Sequence, residues 1–157
     1  MEMEIVQADS SHLGVWAELA SRLFAGHAAG ELEAEFAVFL ATGKETGFLC
    51  LENGYAVGFM NVSVRQDYVN GTEGSPVAFL EAIYVLPEWR RRGVARQLIA
   101  RAEQFARDKG LAQLASDCLE DNTLSQTFHQ NSGFRETERV IYFVKDIQGK
   151  SFLKGEK

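Results

Sequence analysis

Three consecutive arginines and a glycine stand between an apolar segment and an amphipathic one. Residues 77–86 read as a buried strand, and residues 94–109 carry apolar side chains at helical spacing. The connection Glu88-Trp89-Arg90-Arg91-Arg92-Gly93-Val94-Ala95 therefore leads from a strand into the first turn of a helix. The first N–H groups of a helix lack partners and carry partial positive charge, so they bind phosphate well. Because Gly93 allows close approach to the backbone, we expect this loop to bind a cofactor that carries a pyrophosphate.

Two other interpretations of the basic loop are open. It is either an ordinary solvated turn or a contact for nucleic-acid phosphates. The overall charge argues against nucleic acid, because 22 acidic residues outnumber 16 basic ones and the net charge is -6. We therefore expect no nucleic-acid partner.

Two carboxylates lie in segments that are otherwise apolar. Glu81 lies within residues 77–86, and Asp117 lies within residues 111–118, which also read as a strand. A charge in such a strand is unfavourable unless it is paired, holds a cation or faces water in a cleft. One interpretation is an acidic pair that binds an ammonium group and accepts its proton, directly or through water. The alternative is a pair of strand-end carboxylates that only face solvent.

The chain has two cysteines, Cys50 and Cys118, each in an apolar segment. Their spacing fits no metal motif, so no metal site is predicted, and we expect both to be buried, reduced thiols. A nucleophilic Cys118 is the alternative, although no histidine lies close to it in sequence.

The length of 157 residues suits one domain, assigned to residues 1–146, followed by a polar C-terminal tail at residues 147–157. The composition, 46% hydrophobic and 24% charged, is that of an ordinary soluble protein. No apolar run approaches the ~20 residues that cross a bilayer. The acidic start Met1-Glu2-Met3-Glu4 is unlike a signal peptide. A cytoplasmic protein with no membrane partner is expected.

Strands and helices alternate along the second half of the chain. Asn53-Gly54 joins two strand-like segments, where it suits the positive-φ positions of a tight hairpin. The predicted strands are residues 5–8, 48–51, 56–64, 77–86, 111–118 and 135–144, and the predicted helices are residues 13–23, 32–40, 94–109 and 122–131. This order predicts an α/β (α+β) protein in which helices cover the sheet.

Three motifs occur in an order found in one known superfamily. They are Arg90-x-x-Gly93-x-Ala95, a strand that ends before Pro87, and a helix from Asn122 that ends in Gly133-Phe134. The set resembles the GNAT N-acyltransferases over essentially the whole chain. The resemblance implies a mixed sheet with helices on both faces, splayed central strands, and acetyl-CoA as acetyl donor. The residues implied to bind this cofactor are Ile83, Tyr84, Val85, Arg90, Arg91, Arg92, Gly93, Val94, Ala95, Asn122 and His129.

A second set of motifs is more specific. Arg65-x-Asp67-Tyr68-Val69-Asn70-Gly71, Ala115-Ser116-Asp117 and Glu136-Thr137-Glu138-Arg139-Val140-Ile141 are similar to segments of aminoglycoside 6'-N-acetyltransferases. This resemblance implies direct acetyl transfer to the 6'-amine in a ternary complex, which confers antibiotic resistance, and a homodimer with exchanged C-terminal strands. The implied catalytic residues are Glu81 and Asp117, and the implied substrate-binding residues are Phe24, Tyr68, Glu81, Asp117 and Glu138.

Two positions differ from the resembling enzymes. Phe24 stands where they carry a tryptophan, and His129 stands where the superfamily has a tyrosine. Imidazole could hydrogen-bond near the thiol sulfur or donate a proton to it, whereas a helix-capping or surface role is the alternative. Tyr68 reads equally well as an ordinary surface aromatic.

Other functions also remain open on the sequence. One is a GNAT acetyltransferase for another amine, such as a polyamine or a protein N-terminus. Another is a non-catalytic module that binds acyl-CoA or sequesters an antibiotic. A panel of amine acceptors distinguishes them.

Overall fold

A five-stranded sheet forms the centre of the protein, whose computed structural model describes residues 2–148. The strands lie in the order β1-β2-β3-β4-β5, antiparallel except for the last, parallel pair. The elements are β1 (Met3–Gln7), α1 (Leu13–Leu23), α2 (Ala29–Thr42), β2 (Thr46–Glu52), β3 (Tyr55–Arg65), β4 (Val77–Val85), α3 (Val94–Asp108), β5 (Leu114–Ala115) and α4 (Thr123–Asn131), with short 3-10 helices at Ser10–His12 and Pro87–Trp89.

Helices cover both faces of the sheet, as predicted. α1 and α2 pack on one face, where Trp16 stacks on Phe36 with ring centroids 4.3 Å apart. α3 packs on the other face through the apolar positions that the sequence placed at helical spacing: Val94, Leu98, Ile99, Ala102, Phe105 and Ala106. The α/β fold class is therefore confirmed. Among residues 2–148 no helix is both long and apolar enough to cross a bilayer.

The hairpin between β2 and β3 forms at the predicted dipeptide. Asn53 and Gly54 have φ angles of 51° and 85°. Both angles lie in the left-handed region that a two-residue turn requires and that Asn and Gly tolerate. This turn fixes the antiparallel register of the two strands.

A β-bulge in β4 lies at Glu81. On the neighbouring strand, Asn61 is opposite Ala82 and Val62 is opposite Leu80, so Glu81 is the extra residue. The bulge shifts the alternation of side chains: Leu80 packs on the α3 face, whereas Ala82 packs on the face of α1 and α2. Bulges re-aim a side chain out of the regular pattern.

Two predicted strands differ in the structure. The segment predicted at residues 111–118 is a strand only at Leu114–Ala115. The strand predicted at residues 135–144 is wrong for the single chain, because this segment pairs with no strand within the described residues and is exposed. Alternating side chains indicate an extended segment but do not supply the neighbour that its backbone must pair with. The predicted tail lies outside the described residues except for positions 147 and 148.

Candidate active site

An acidic cleft opens between β3 and β4 on one side and α1 and α2 on the other. Its volume is about 330 Å³. Ten residues line it: Phe24, His27, Leu32, Glu35, Phe36, Phe39, Glu45, Asn61, Glu81 and Ala82. Three of these are glutamates, and they come from α2, from the turn before β2 and from the bulge in β4. A cleft of this composition attracts cations.

Glu81 is fixed by two residues of β3. Ser63 Oγ donates to its Oε2 at 2.6 Å. Arg65 donates from Nη2 to Oε1 at 2.8 Å and from Nε to Oε2 at 3.0 Å, a bidentate pair. The hydrogen bond to Glu81 raises the pKa of Arg65, so the guanidinium stays charged. Sequence reasoning missed both partners, because β3 brings them to Glu81 only through strand pairing.

Asp117 follows β5 and is exposed. Its charge, together with the charges of Glu81 and Glu45, contributes to the raised pKa of Arg65. The structure therefore brings the two predicted catalytic carboxylates to the surroundings of one arginine. Because Glu81 and Asp117 outnumber that one guanidinium, negative charge remains for a cationic ligand.

Glu45 is held by a buried amide. The indole Nε1–H of Trp16 donates to Asn61 Oδ1 at 2.9 Å, and Asn61 Nδ2 donates to Glu45 Oε1 at 3.3 Å. An indole only donates, so it determines which end of the Asn61 amide faces Glu45. Burial and then the charge of Glu81 raise the pKa of Glu45 to about 7. The sequence pattern could have indicated Asn61, because it is a polar residue within an apolar strand. Glu45 lies in a polar turn, where nothing in the sequence indicates a buried contact.

The basic loop forms a strand-to-helix connection, as predicted. Arg91 and Gly93 have φ angles of 64° and 88°, and the space beside the Gly93 Cα is open. Glycine adopts this left-handed conformation without strain, and its missing side chain leaves room for a ligand beside the start of α3. Arg90 is directed back to β4, where its Nε donates to the Val85 carbonyl at 2.9 Å. The N–H groups of the first turn, which have no partner within the helix, and the arginines suit a pyrophosphate.

β4 and β5 separate after a short paired region. They pair only at Ala78 with Leu114 and at Phe79 with Ala115. The following part of β4, which contains the predicted cofactor-binding residues Ile83, Tyr84 and Val85, has no β5 partner in the described structure. The splayed strands that the sequence resemblance implied are thus present, and the cleft residue Ala82 lies next to this free edge.

A serine and a histidine meet where the two strands separate. Ser116 Oγ lies 2.7 Å from His129 Nε2 and 3.3 Å from the Leu80 carbonyl oxygen. His129 Nδ1 lies 2.7 Å from the Ser125 carbonyl oxygen, which only accepts. Nδ1 therefore carries a hydrogen, and Nε2 faces the Ser116 hydroxyl. Ser116 was not among the predicted site residues.

The remaining predicted residues are only partly brought together. Phe24 lines the cleft, whereas Tyr68 and Glu138 are exposed and do not line it. Asn122 caps α4, since its Oδ1 accepts from Ser125 N at 3.1 Å. The expectation that both cysteines are buried holds for Cys50 and is wrong for Cys118, which lies in the exposed irregular segment after the short β5.

Residues 14–134 match the acetyltransferase (GNAT) family model. The chain belongs to the GNAT acetyltransferase family. This GNAT protein is 44% identical to aminoglycoside N(6')-acetyltransferase type 1 of Salmonella typhimurium, over 91% of this chain and 99% of that one. It is 42% identical to the enzyme of the same name from Acinetobacter haemolyticus, over 92% of this chain and 99% of that one.

Solved structures of GNAT proteins have the same fold. Aminoglycoside acetyltransferase AAC(6')-Iy in complex with the bisubstrate analogue CoA-S-monomethyl-acetylneamine has a TM-score of 0.88 and 43% identity, covering 93% of this chain and 99% of that chain. The same enzyme in complex with CoA has a TM-score of 0.87 and 44% identity, covering 92% and 95%. The family predicted from the sequence motifs is therefore confirmed.

Proposed function

We propose that this protein transfers the acetyl group of acetyl-CoA to the 6'-amine of aminoglycoside antibiotics. The observation that carries the proposal is the acidic cleft, which contains Glu35, Glu45 and Glu81 and lies beside the free edge of β4. Aminoglycosides carry several ammonium groups, which such a cleft attracts and orients. Relatives with over 40% identity across nearly the whole chain carry the corresponding name.

The donor acetyl-CoA would lie along β4 and across the basic loop. Backbone groups of Ile83, Tyr84 and Val85 would pair with its pantetheine arm and polarise the thioester carbonyl. The pyrophosphate would be bound by N–H groups of Gly93, Val94 and Ala95, with cationic groups of Arg90, Arg91 and Arg92 around it. The open space beside Gly93 supports this placement. We expect the reaction in the cytoplasm, because acetyl-CoA is an intracellular metabolite.

The acceptor would occupy the acidic cleft, with direct transfer in a ternary complex. Glu81 and Asp117 would fix its ammonium groups, and Phe24 would pack against its sugar rings. The variants Glu81→Gln and Asp117→Asn are expected to lower turnover far more than they weaken acetyl-CoA binding. Wild-type turnover in both variants would contradict the assignment of these carboxylates.

Ser116 and His129 are placed to protonate the leaving thiolate. The hydroxyl lies where β4 and β5 separate, which is where the thioester would enter. The Ser116 proton would pass to sulfur while a proton that His129 Nε2 has taken from solvent passes to Ser116 Oγ, which leaves the ring with its Nδ1 hydrogen. The short contact of 2.7 Å between Oγ and Nε2 supports this relay.

The segment after α4 supports a homodimer with exchanged C-terminal strands. Within the described residues it exposes a run of apolar side chains: Val140, Ile141, Tyr142, Phe143, Val144 and Ile147. An extended segment with unpaired backbone groups and apolar side chains is expected to pair with another strand. In the exchanged dimer Glu138 and Tyr68 would reach a cleft that involves both subunits.

The test of the function is CoA-thiol release from acetyl-CoA with kanamycin, tobramycin, spermidine and a peptide amine as separate acceptors. Release with the aminoglycosides alone, with mass spectrometry placing the acetyl group on the 6'-nitrogen, is the expected result. Release with spermidine or the peptide alone would show that the substrate is another amine rather than an aminoglycoside. Acetyl-CoA binding without release from any acceptor would favour a non-catalytic module.

A further inference from the structure

Among the described residues, Glu45 is the one cleft carboxylate that is half-buried and forms no ion pair. Glu81 has both of its oxygens bound to the guanidinium of Arg65, and Ser63 also donates to it. Glu35 is exposed on α2. The hydrogen bond from Asn61 to Glu45 Oε1, by contrast, comes from an amide and leaves Oε2 for a ligand.

The position of Glu45 is determined by contacts to the core as well as by the turn that carries it. Asn61 is buried in β3 and takes its orientation from the indole of Trp16, which is fully buried in α1. The chain Trp16–Asn61–Glu45 therefore anchors the carboxylate to the sheet. A base must be held within reach of the proton that it removes, and such anchoring provides this.

We propose that Glu45 accepts the proton that the substrate amine loses before it attacks the thioester. This inference rests on the proposed function and adds to it the residue that deprotonates the amine. The ammonium proton moves to the Glu45 carboxylate, and the bonding pair stays on nitrogen. The amine lone pair then forms the bond to the thioester carbonyl carbon, and the carbon–sulfur bond breaks with its electrons on sulfur. The nitrogen loses its second proton to solvent, which leaves a neutral amide. The carboxylic acid on Glu45 finally loses its proton to solvent.

The surroundings of Glu45 suit a base that works near neutral pH. Burial and the charge of Glu81 raise its pKa to about 7, and a catalytic base is most effective when its pKa lies near the working pH. The charged and titratable groups around it are Glu35, Lys44, Arg65, Glu81 and the cleft residue His27. Glu35 and Glu81 raise the pKa of Glu45, and Lys44 lowers it.

The first variant is Glu45→Gln, which removes the charge and keeps an oxygen to accept from Asn61. We expect kcat with kanamycin to fall by roughly 100-fold, with acetyl-CoA binding unchanged. In the wild-type enzyme kcat should fall as the pH drops through about 7, because Glu45 becomes protonated. In Glu45→Gln, kcat should no longer fall as the pH drops through this range. Glu33→Gln, an exposed carboxylate of α2 outside the cleft, is the charge-matched control and should match wild type.

A second variant separates proton transfer from a structural effect. Glu45→Ala leaves space beside the cleft, and added formate should restore part of its turnover in a concentration-dependent manner, whereas Glu45→Gln should not respond. If wild type is active and Glu45→Gln has the same pH profile, the proposal for Glu45 is wrong and the proposed function still stands. Absence of formate rescue in a folded Glu45→Ala variant would also count against it. No CoA release by wild type from any amine would overturn the proposed function as well.

Discussion

Replacement of Gly47 by alanine tests whether the core positions the catalytic cleft. Gly47 of β2 lies opposite Asn61 of β3, and the indole of Trp16 lies directly over it. An added Cβ would be 2.5 Å from Cε2 and 2.8 Å from Cη2 of the Trp16 ring, and closer still to Cζ2. Both distances are far below van der Waals contact. The ring is fully buried and stacked on Phe36, so the side chain or the strand has to move.

The expected loss of stability follows from two effects. Overpacking a core typically costs about 1–3 kcal/mol. Displacement of the indole also breaks its hydrogen bond to Asn61, which contributes about 1 kcal/mol. We therefore expect Gly47→Ala to lower the free energy of unfolding by about 2–4 kcal/mol. Because Asn61 holds Glu45, we also expect kcat to fall about tenfold or more, as small misplacements of catalytic groups have large effects.

The assay is urea unfolding followed by circular dichroism, with turnover measured on the folded variant. Gly30→Ala is the matched control, because Gly30 lies in α2 and an added Cβ there meets nothing within 4 Å. That control should be as stable as wild type or more stable, since alanine favours the helix. If Gly47→Ala unfolds at the wild-type urea concentration and retains wild-type kcat, the reasoning from the Trp16 contact to Asn61 and Glu45 is refuted.

Three further predictions follow from other contacts. The pKa of Glu45 is raised on folding, so its contribution to stability is fully present below the unfolded value near 4.5 and is lost as the pH rises through about 7. The free energy of unfolding of Glu45→Gln, measured with urea, should therefore increase relative to that of wild type by about 1–2 kcal/mol as the pH rises from 5 to 8, after allowance for partial exposure. An equal dependence of stability on pH in both proteins would contradict this. Ser116→Ala should lower kcat by about tenfold or more because it removes the hydroxyl next to His129 Nε2, whereas Ser125→Ala should have a smaller effect because it keeps the carbonyl that holds the ring. Phe143→Asp should convert the proposed dimer to a monomer in sedimentation experiments, whereas Tyr55→Asp, on the exposed hairpin at 77% exposure, should not; equal behaviour of the two variants would argue against strand exchange.

Features that depend on neighbouring residues were predictable from the sequence. The apolar spacing of α3 gave its buried face, and Asn53-Gly54 gave the hairpin, because both follow from local backbone geometry. The order of apolar segment, basic loop and amphipathic segment gave the strand-to-helix connection for the same reason. Family motifs in the correct order also identified the family, which the relatives confirm.

The failures share one physical cause. The segment at residues 135–144 has the composition of a strand, but pairing requires a neighbour that composition does not reveal. The predicted strand at residues 111–118 is short because β5 separates from β4 after two pairs. Both errors concern the partner of a segment rather than its own conformational preference.

The sequence by itself determined the family, the main elements and the carboxylate at position 81, because these are written in types and spacings of nearby residues. Only the tertiary structure showed that Arg65 and Ser63 bind Glu81, that Ser116 contacts His129, and that a buried amide holds Glu45. Trp16 and Asn61 are 45 positions apart in sequence, and they meet only because α1 packs on the sheet opposite Gly47. Such contacts depend on strand register and on packing between distant elements, which no local pattern specifies.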